Sequence, residues 1–266
     1  MNNRLSIDTI TIRNADLESK FRLASEAGFR GIELWGYEVD DSDEALEKVP
    51  ALARHYGLIV EGVCPQPDLY PWHHEWTPFL EETFQHRLDR YAQIGAGYIV
   101  LPVMSDEGDL ARTAEHLARV CELAGERNLS VGLEPIGHIP KLADVEDAFK
   151  MVADCDTATN VGIILDAFHF FRGRNRLETL RSQDPGAILA VHIDDAMDLP
   201  LNDLVGYKHR LYPGEGVFDV SGFCQVLADM GYDGPYVVEL LNESYWHDDP
   251  ATVVRRAFDS ASSFID

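Results

Sequence analysis

Basic residues are scarce in this chain of 266 residues: 22 Lys and Arg stand against 46 Asp and Glu, a formal net charge of −24 at pH 7. A surface of that sign repels phosphate backbones and anionic lipid at long range, which argues against a nucleic-acid partner. Cysteine is scarce too. Cys64, Cys121, Cys155 and Cys224 lie far apart, with no CxxC pair and none of the density of a disulfide scaffold, so reduced thiols are expected. The opening segment MNNRLSIDTITIRN lacks an apolar stretch of signal-peptide length, and no run approaches the roughly 20 apolar residues of a membrane span. A soluble, cytoplasmic protein with no membrane partner is the expectation. A glycine-rich dinucleotide fingerprint after the first strand-like segment is also missing, which weakens a Rossmann reading.

What is present alternates. Hydrophobic residues make up 45% of the chain, enough for a core of normal size. Strand-like runs at 4–10, 31–35, 58–63, 97–102, 129–134, 161–166, 187–193 and 236–240 are separated by amphipathic stretches at 16–28, 42–56, 80–95, 108–127, 142–155, 174–183 and 219–231. A last amphipathic stretch, 250–264, follows. Near-continuous apolar strands argue for a parallel sheet buried on both faces. Eight such units close a (β/α)8 TIM barrel, an α/β fold of typically ~250 residues, so one domain over 1–266 is predicted. Two connections look long, 64–79 and 194–218. Both leave the carboxyl end of a strand, the face on which barrel active sites sit, and are expected to roof a substrate cavity with aromatics such as Trp72 and Tyr212.

Four of the apolar runs end on a residue that can carry charge: LSVGLE on Glu134, NVGIILD on Asp166, AILAVH on His192 and YVVE on Glu239. Charge at the end of a buried strand is costly unless something compensates it. One such carboxylate alone is more often half of an ion pair than a functional group. Four at equivalent positions, in motifs with little Lys or Arg, leave a salt-bridge explanation short of partners. Three carboxylates and one imidazole without a thiolate suit one divalent ion and not a structural zinc site. Mn²⁺ is the expected ion, with Mg²⁺, Co²⁺ and Zn²⁺ compatible.

The quartet, together with GLEPIGH, LDAFHFF, HIDD, YPGEG and VEL, resembles the sugar isomerase/epimerase superfamily of xylose-isomerase-like barrels. The similarity is densest over about 130–247 and nearest to the inosose isomerase branch of inositol catabolism, while GFRGIELWG is shared with several branches, including 3-dehydroshikimate dehydratases. The resemblance implies that Glu134, Asp166, His192 and Glu239 bind the metal, and that a homo-oligomer is usual. It also places His169 near the substrate or behind Asp166. Arg210, before a fixed Pro-Gly turn, would reach the substrate or a ligand carboxylate. His138, Glu33 and Trp35 are weaker substrate-side candidates. Trp35, Trp72 and Trp246 are candidate cavity walls with plain packing as the alternative, and the His pair at 73–74 reads as solvated loop.

The expected chemistry is isomerisation or epimerisation of a keto-cyclitol or keto-sugar. A metal-stabilised enediolate would form, with Glu134 and Glu239 moving the proton. A β-hydroxyl placed to leave would turn the same machinery into a lyase or dehydratase acting on 3-dehydroshikimate, a keto-inositol or a 3-keto-glycoside. An endonuclease IV-like reading fits the barrel and the Asp166–His169 spacing, but not the acidic balance. No phosphate cradle is evident, so a neutral or carboxylated small molecule is favoured.

Overall fold

Eight parallel strands close on themselves in a computed structural model that describes residues 4–65, 77–104, 110–155 and 159–265. They are β1 (Leu5–Asp8), β2 (Gly31–Trp35), β3 (Ile59–Cys64), β4 (Tyr98–Pro102), β5 (Ser130–Glu134), β6 (Val161–Asp166) and β7 (Ile188–Ile193). An antiparallel ribbon of β8 (Asp195–Ala196) and β9 (Arg210–Leu211) follows, and then β10 (Tyr236–Val238) completes the ring between β7 and β1. The expected TIM barrel is the fold. Outside it pack α1 (Leu17–Ala27), α2 (Asp43–Tyr56), α3 (Pro78–Ile94), α4 (Leu110–Gly125), α5 (Val145–Ala153), α6 (Ala167–Arg172), α7 (Leu177–Arg181), α8 (Val220–Met230) and α9 (Pro250–Ser262).

Each helix takes its place through local chemistry. In α1, Phe21, Leu23, Ala24 and Ala27 turn inward at helical spacing, Asp16 accepts from the Ser19 N–H, and Gly28 ends the helix at φ 109°. Ser42, Asp219 and Asp249 cap α2, α8 and α9 in the same way. The barrel interior is a separate core in which Tyr98, Val100, Ile164, Ala190 and Val237 meet. Gly132 makes room there, because a Cβ at that position would lie 2.4 Å from Ile164 Cγ1.

Several boundaries differ from the periodicity, three of them for an identifiable bond. The first strand stops at Asp8, not at residue 10, because Asp8 Oδ1 accepts the Ile10 N–H at 2.6 Å and Thr9–Ile12 coils into a 3₁₀ turn. The last strand stops at Val238, since the Leu240 N–H goes to Thr11 Oγ1 at 3.0 Å. The helix expected from 142 starts at Val145 behind the Asp144 cap. The stretch expected over 174–183 contracts to α7, and α6 and the β8–β9 ribbon are elements the periodicity did not signal.

Candidate active site

Strand register brings the quartet together. Asp166 stands opposite His192 across β6 and β7, Glu134 is the last residue of β5, and Glu239 lies one step past the Val238–Ile193 pair of β10 and β7. All four are buried, and one ligand atom from each lies within 4.8 Å of the others. His192 Nδ1 is 3.5 Å from Glu239 Oε2, 3.6 Å from Glu134 Oε1 and 4.0 Å from Asp166 Oδ2. The opposite nitrogen, Nε2, lies 3.0 Å from Glu33 Oε1 but out of line for a hydrogen bond. Asp166 has two tasks. Its Oδ1 accepts the His169 N–H at 2.6 Å, capping α6, and this leaves Oδ2 for the cluster.

Arg210 supplies the cation that the motif reading found lacking. From β9 its Nη1 reaches Asp194 Oδ2 at 2.6 Å, Glu239 Oε2 at 3.0 Å and Asp166 Oδ2, while the guanidinium lies 5.2 Å over the Phe168 ring. Part of the quartet's charge is thus balanced by protein, contrary to the expectation from the motifs. One guanidinium does not balance the site. Asp8, Glu33, Glu134, Asp166, Asp194 and Glu239 are all buried around it, with the imidazoles of His192 and His169 among them. His192 Nδ1, Asp8 Oδ2 and both Glu33 oxygens have no hydrogen-bond partner. Buried anionic oxygens and an unpartnered imidazole nitrogen fit a divalent cation held by Glu134, Asp166, His192 and Glu239.

The electrostatics separate the two glutamates. Burial pushes the Glu134 carboxyl up to about 7, with His192 opposing and Glu239 adding to the rise. For Asp166 and Glu239 burial acts the same way, but Arg210 and the histidines outweigh it and hold both carboxyls below their usual range. Burial raises Asp194 well above its usual value, and the Asp166 charge adds to that. Burial drives the His169 imidazole down to about 4, so it is neutral.

A cavity of about 410 Å³ opens over this cluster. Of the residues singled out from the sequence, Glu134, Glu239, His169, Arg210, His138 and Trp35 line it; Asp166, His192 and Glu33 do not. His169 Nε2 is 3.3 Å from Arg210 Nη2, and it is the His169 backbone, not its ring, that orients Asp166. The β7–α8 connection contributes Leu204 through Tyr207 and Arg210 to the cavity wall. Tyr212 does not serve as roof. It is buried against Tyr245, with ring centroids 4.6 Å apart, beneath Arg256. Trp246 likewise faces elsewhere, donating Nε1–H to the Ile10 carbonyl at 2.6 Å. Cys64 and Pro65 reach the cavity, whereas Trp72 and the His pair at 73–74 fall outside the described residues. Arg172, Asp194 and Tyr207 are site residues that the motifs did not single out; Asp194, two after His192 in HIDD, carried the one available signal.

Residues 21–263 match the family of xylose isomerase-like TIM barrels, and the chain belongs to it. The 3-dehydroshikimate dehydratase of Pseudomonas aeruginosa is 27% identical over 244 residues, covering 90% of this chain and 38% of that protein. Inosose isomerase of Bacillus velezensis is 25% identical over 61% of this chain and 60% of its own. The chain therefore aligns with less than two thirds of either relative's length. Fructoselysine 3-epimerase of Escherichia coli O157:H7 aligns over 91% of both chains at 24% identity. Among solved structures, the IOLI protein with a bound zinc atom superposes with a TM-score of 0.88 at 20% identity, covering 98% of each chain. The named relatives are thus isomerases, epimerases and dehydratases on one scaffold. Among the described residues no helix is long and apolar enough to cross a membrane.

Proposed function

We propose that this protein is a metal-dependent isomerase or epimerase that enolises a keto-cyclitol or keto-sugar. The observation that carries the reading is the buried quartet at the carboxyl ends of β5, β6 and β7 and just past β10, opening onto a cavity of sugar size. Mn²⁺ suits these oxygen and nitrogen donors, and Zn²⁺ is supported by the bound zinc of the IOLI protein. A divalent ion there supplies Lewis acidity to the substrate's carbonyl and hydroxyl oxygens. Glu134, free of Arg210 and lifted by burial, is the better proton acceptor. Glu239, held ionised beside Arg210, is a second proton-transfer group on the far side. Arg210 and His169 then fix substrate oxygens at the cavity wall.

Loss of water is the second outcome open to the same residues. The 27% identity to a 3-dehydroshikimate dehydratase, against 24% to the fructoselysine 3-epimerase over a similar share of this chain, is what supports it. A panel of keto-inositols, ketohexoses, 3-keto-glycosides and 3-dehydroshikimate in deuterated water with Mn²⁺ separates the outcomes. Deuterium at one carbon marks enolisation, and retention or loss of water sorts isomerase from lyase. Glu134→Gln at saturating metal should lose about 10²-fold or more in turnover. Normal turnover in that variant, or no exchange in the wild type, would refute the reading.

A further inference from the structure

Most partly buried guanidinium groups in this acidic chain take carboxylates, while Arg4, away from the cavity, donates to the Tyr232 carbonyl at 2.7 Å and lies over the Tyr236 ring. Arg30 pairs with Glu61 at 3.2 Å, Arg87 with Asp40 at 3.5 Å and Arg127 with Asp89 at 2.6 Å. Arg172 is different. It ends α6, the helix capped by Asp166, and lines the cavity alongside Glu134, His138 and His169. Among the described residues its one hydrogen bond runs from Nε to the Leu201 carbonyl at 3.3 Å, and no carboxylate pairs with it. Burial lowers its pKa with no neighbouring anion to offset the effect. The imidazoles beside it are of no help. Burial, and then Arg172 itself, pushes His138 down, and the His169 ring lies 6.3 Å from that of His138. This wall of the cavity therefore holds one cation with no carboxylate partner among the described residues, beside two imidazoles, in a protein with more than twice as many Asp and Glu as Lys and Arg.

We propose that Arg172 binds a carboxylate of the substrate, so that the hydroxyketone admitted here is a sugar or cyclitol acid and not a neutral ring. A guanidinium's fork matches a carboxylate's two oxygens, and a partly dehydrated cation gains most from such a partner. A single guanidinium balances one negative charge, which suits a carboxylate better than a phosphate dianion. The inference rests on the proposed enolisation only in calling the ligand a hydroxyketone.

Calorimetric titration tests it without turnover. Shikimate carries the carboxylate but no ketone, and myo-inositol is a neutral ring. Wild-type protein should bind shikimate more tightly. Arg172→Met should weaken shikimate about 10- to 100-fold, Arg172→Lys should weaken it less, and neither should alter myo-inositol. With 3-dehydroshikimate as substrate, the Met variant should raise KM by a similar factor and leave kcat nearly unchanged. Equal shikimate affinity in wild type and Arg172→Met, or tighter binding of myo-inositol by the wild type, overturns the proposal. If no ketone exchanges deuterium while shikimate binding still depends on Arg172, enolisation fails and the carboxylate site stands.

Discussion

His192 has carboxylates on two opposite edges of its ring, and they define its role. Nδ1 faces Glu134, Asp166 and Glu239, and Nε2 faces Glu33 from across the barrel. Glu33 makes no hydrogen bond to the ring, but a carboxylate charge 3.0 Å from Nε2 favours the proton on that nitrogen, the tautomer that leaves Nδ1 free to bind a metal. Glu33 stands beside Asp8 in the β1–β2 register and does not touch the cavity, so its effect is separable from substrate contacts. Glu33→Gln, of nearly the same shape, should lower metal affinity by roughly 10- to 100-fold. Competition against a chromophoric chelator measures this, and an unchanged affinity would remove Glu33 from the site. In the sequence, Glu33 was one polar residue in GIELW, and nothing local joined it to a histidine 159 positions later.

At the scale of the elements, one side chain shapes the turn that leads from β9 to α8, while Asn242 Nδ2 donates to the Arg210 carbonyl at 2.9 Å and the Val205 N–H to His209 Nδ1 at 3.0 Å. Asp195 accepts N–H bonds from Gly214 at 3.1 Å, Gly216 at 2.8 Å and Phe218 at 2.9 Å, wrapping the YPGEG turn around a buried carboxylate. Gly216 passes so close that a Cβ would lie 2.2 Å from the Ala196 carbonyl oxygen. This turn sets the position of β9 and thereby of Arg210. Asp195→Ala takes a shared charged acceptor from the partly buried Gly214, Gly216 and Phe218 N–H groups and should cost about 2 kcal/mol, with a loss of activity as Arg210 shifts. Urea unfolding reads the first effect and steady-state kinetics the second. Full stability in that variant would mean the connection holds itself by other contacts. The same packing explains why Tyr212 is not roof. The turn around Asp195 carries its ring away from the cavity, toward Tyr245.

For the whole molecule, the surplus of buried acid predicts that stability rises when a cation binds the proposed site. A ligand that binds the folded state alone stabilises it by about 2.7 kcal/mol when present at 100 times its Kd. In a chain of this size that corresponds to a rise of about 5–10 °C in Tm. Protein stripped with a chelator should melt lower by that amount and recover on addition of Mn²⁺ or Zn²⁺, with about one ion per chain by elemental analysis. Identical melting with and without metal would sink the assignment of Glu134, Asp166, His192 and Glu239. The net charge of −24 acts in the same direction, since self-repulsion is relieved by any bound cation.

The barrel was legible in the sequence because its evidence is local. An apolar run, a turn and an amphipathic stretch each report on themselves, and eight repeats leave few ways to bury both faces of a sheet. The quartet was legible for the same reason, as each member ends its own apolar run. Pairing was legible only in part. The reach of Arg210 to a ligand carboxylate was implied by the resemblance, but its hold on Asp194, Glu33 behind His192 and Arg172 without an acid are relations between distant segments, and only barrel closure and strand register create them. Strand ends were decided by tertiary structure too, where Asp8 and Thr11 offered side-chain acceptors that competed with the ladder. Aromatic residues on loops had no period to orient them, so Trp35 at a strand end lines the cavity while Trp246 and Tyr212 turn into packing. Local patterning determines which residues are buried and on which element, and three-dimensional closure decides which charges meet.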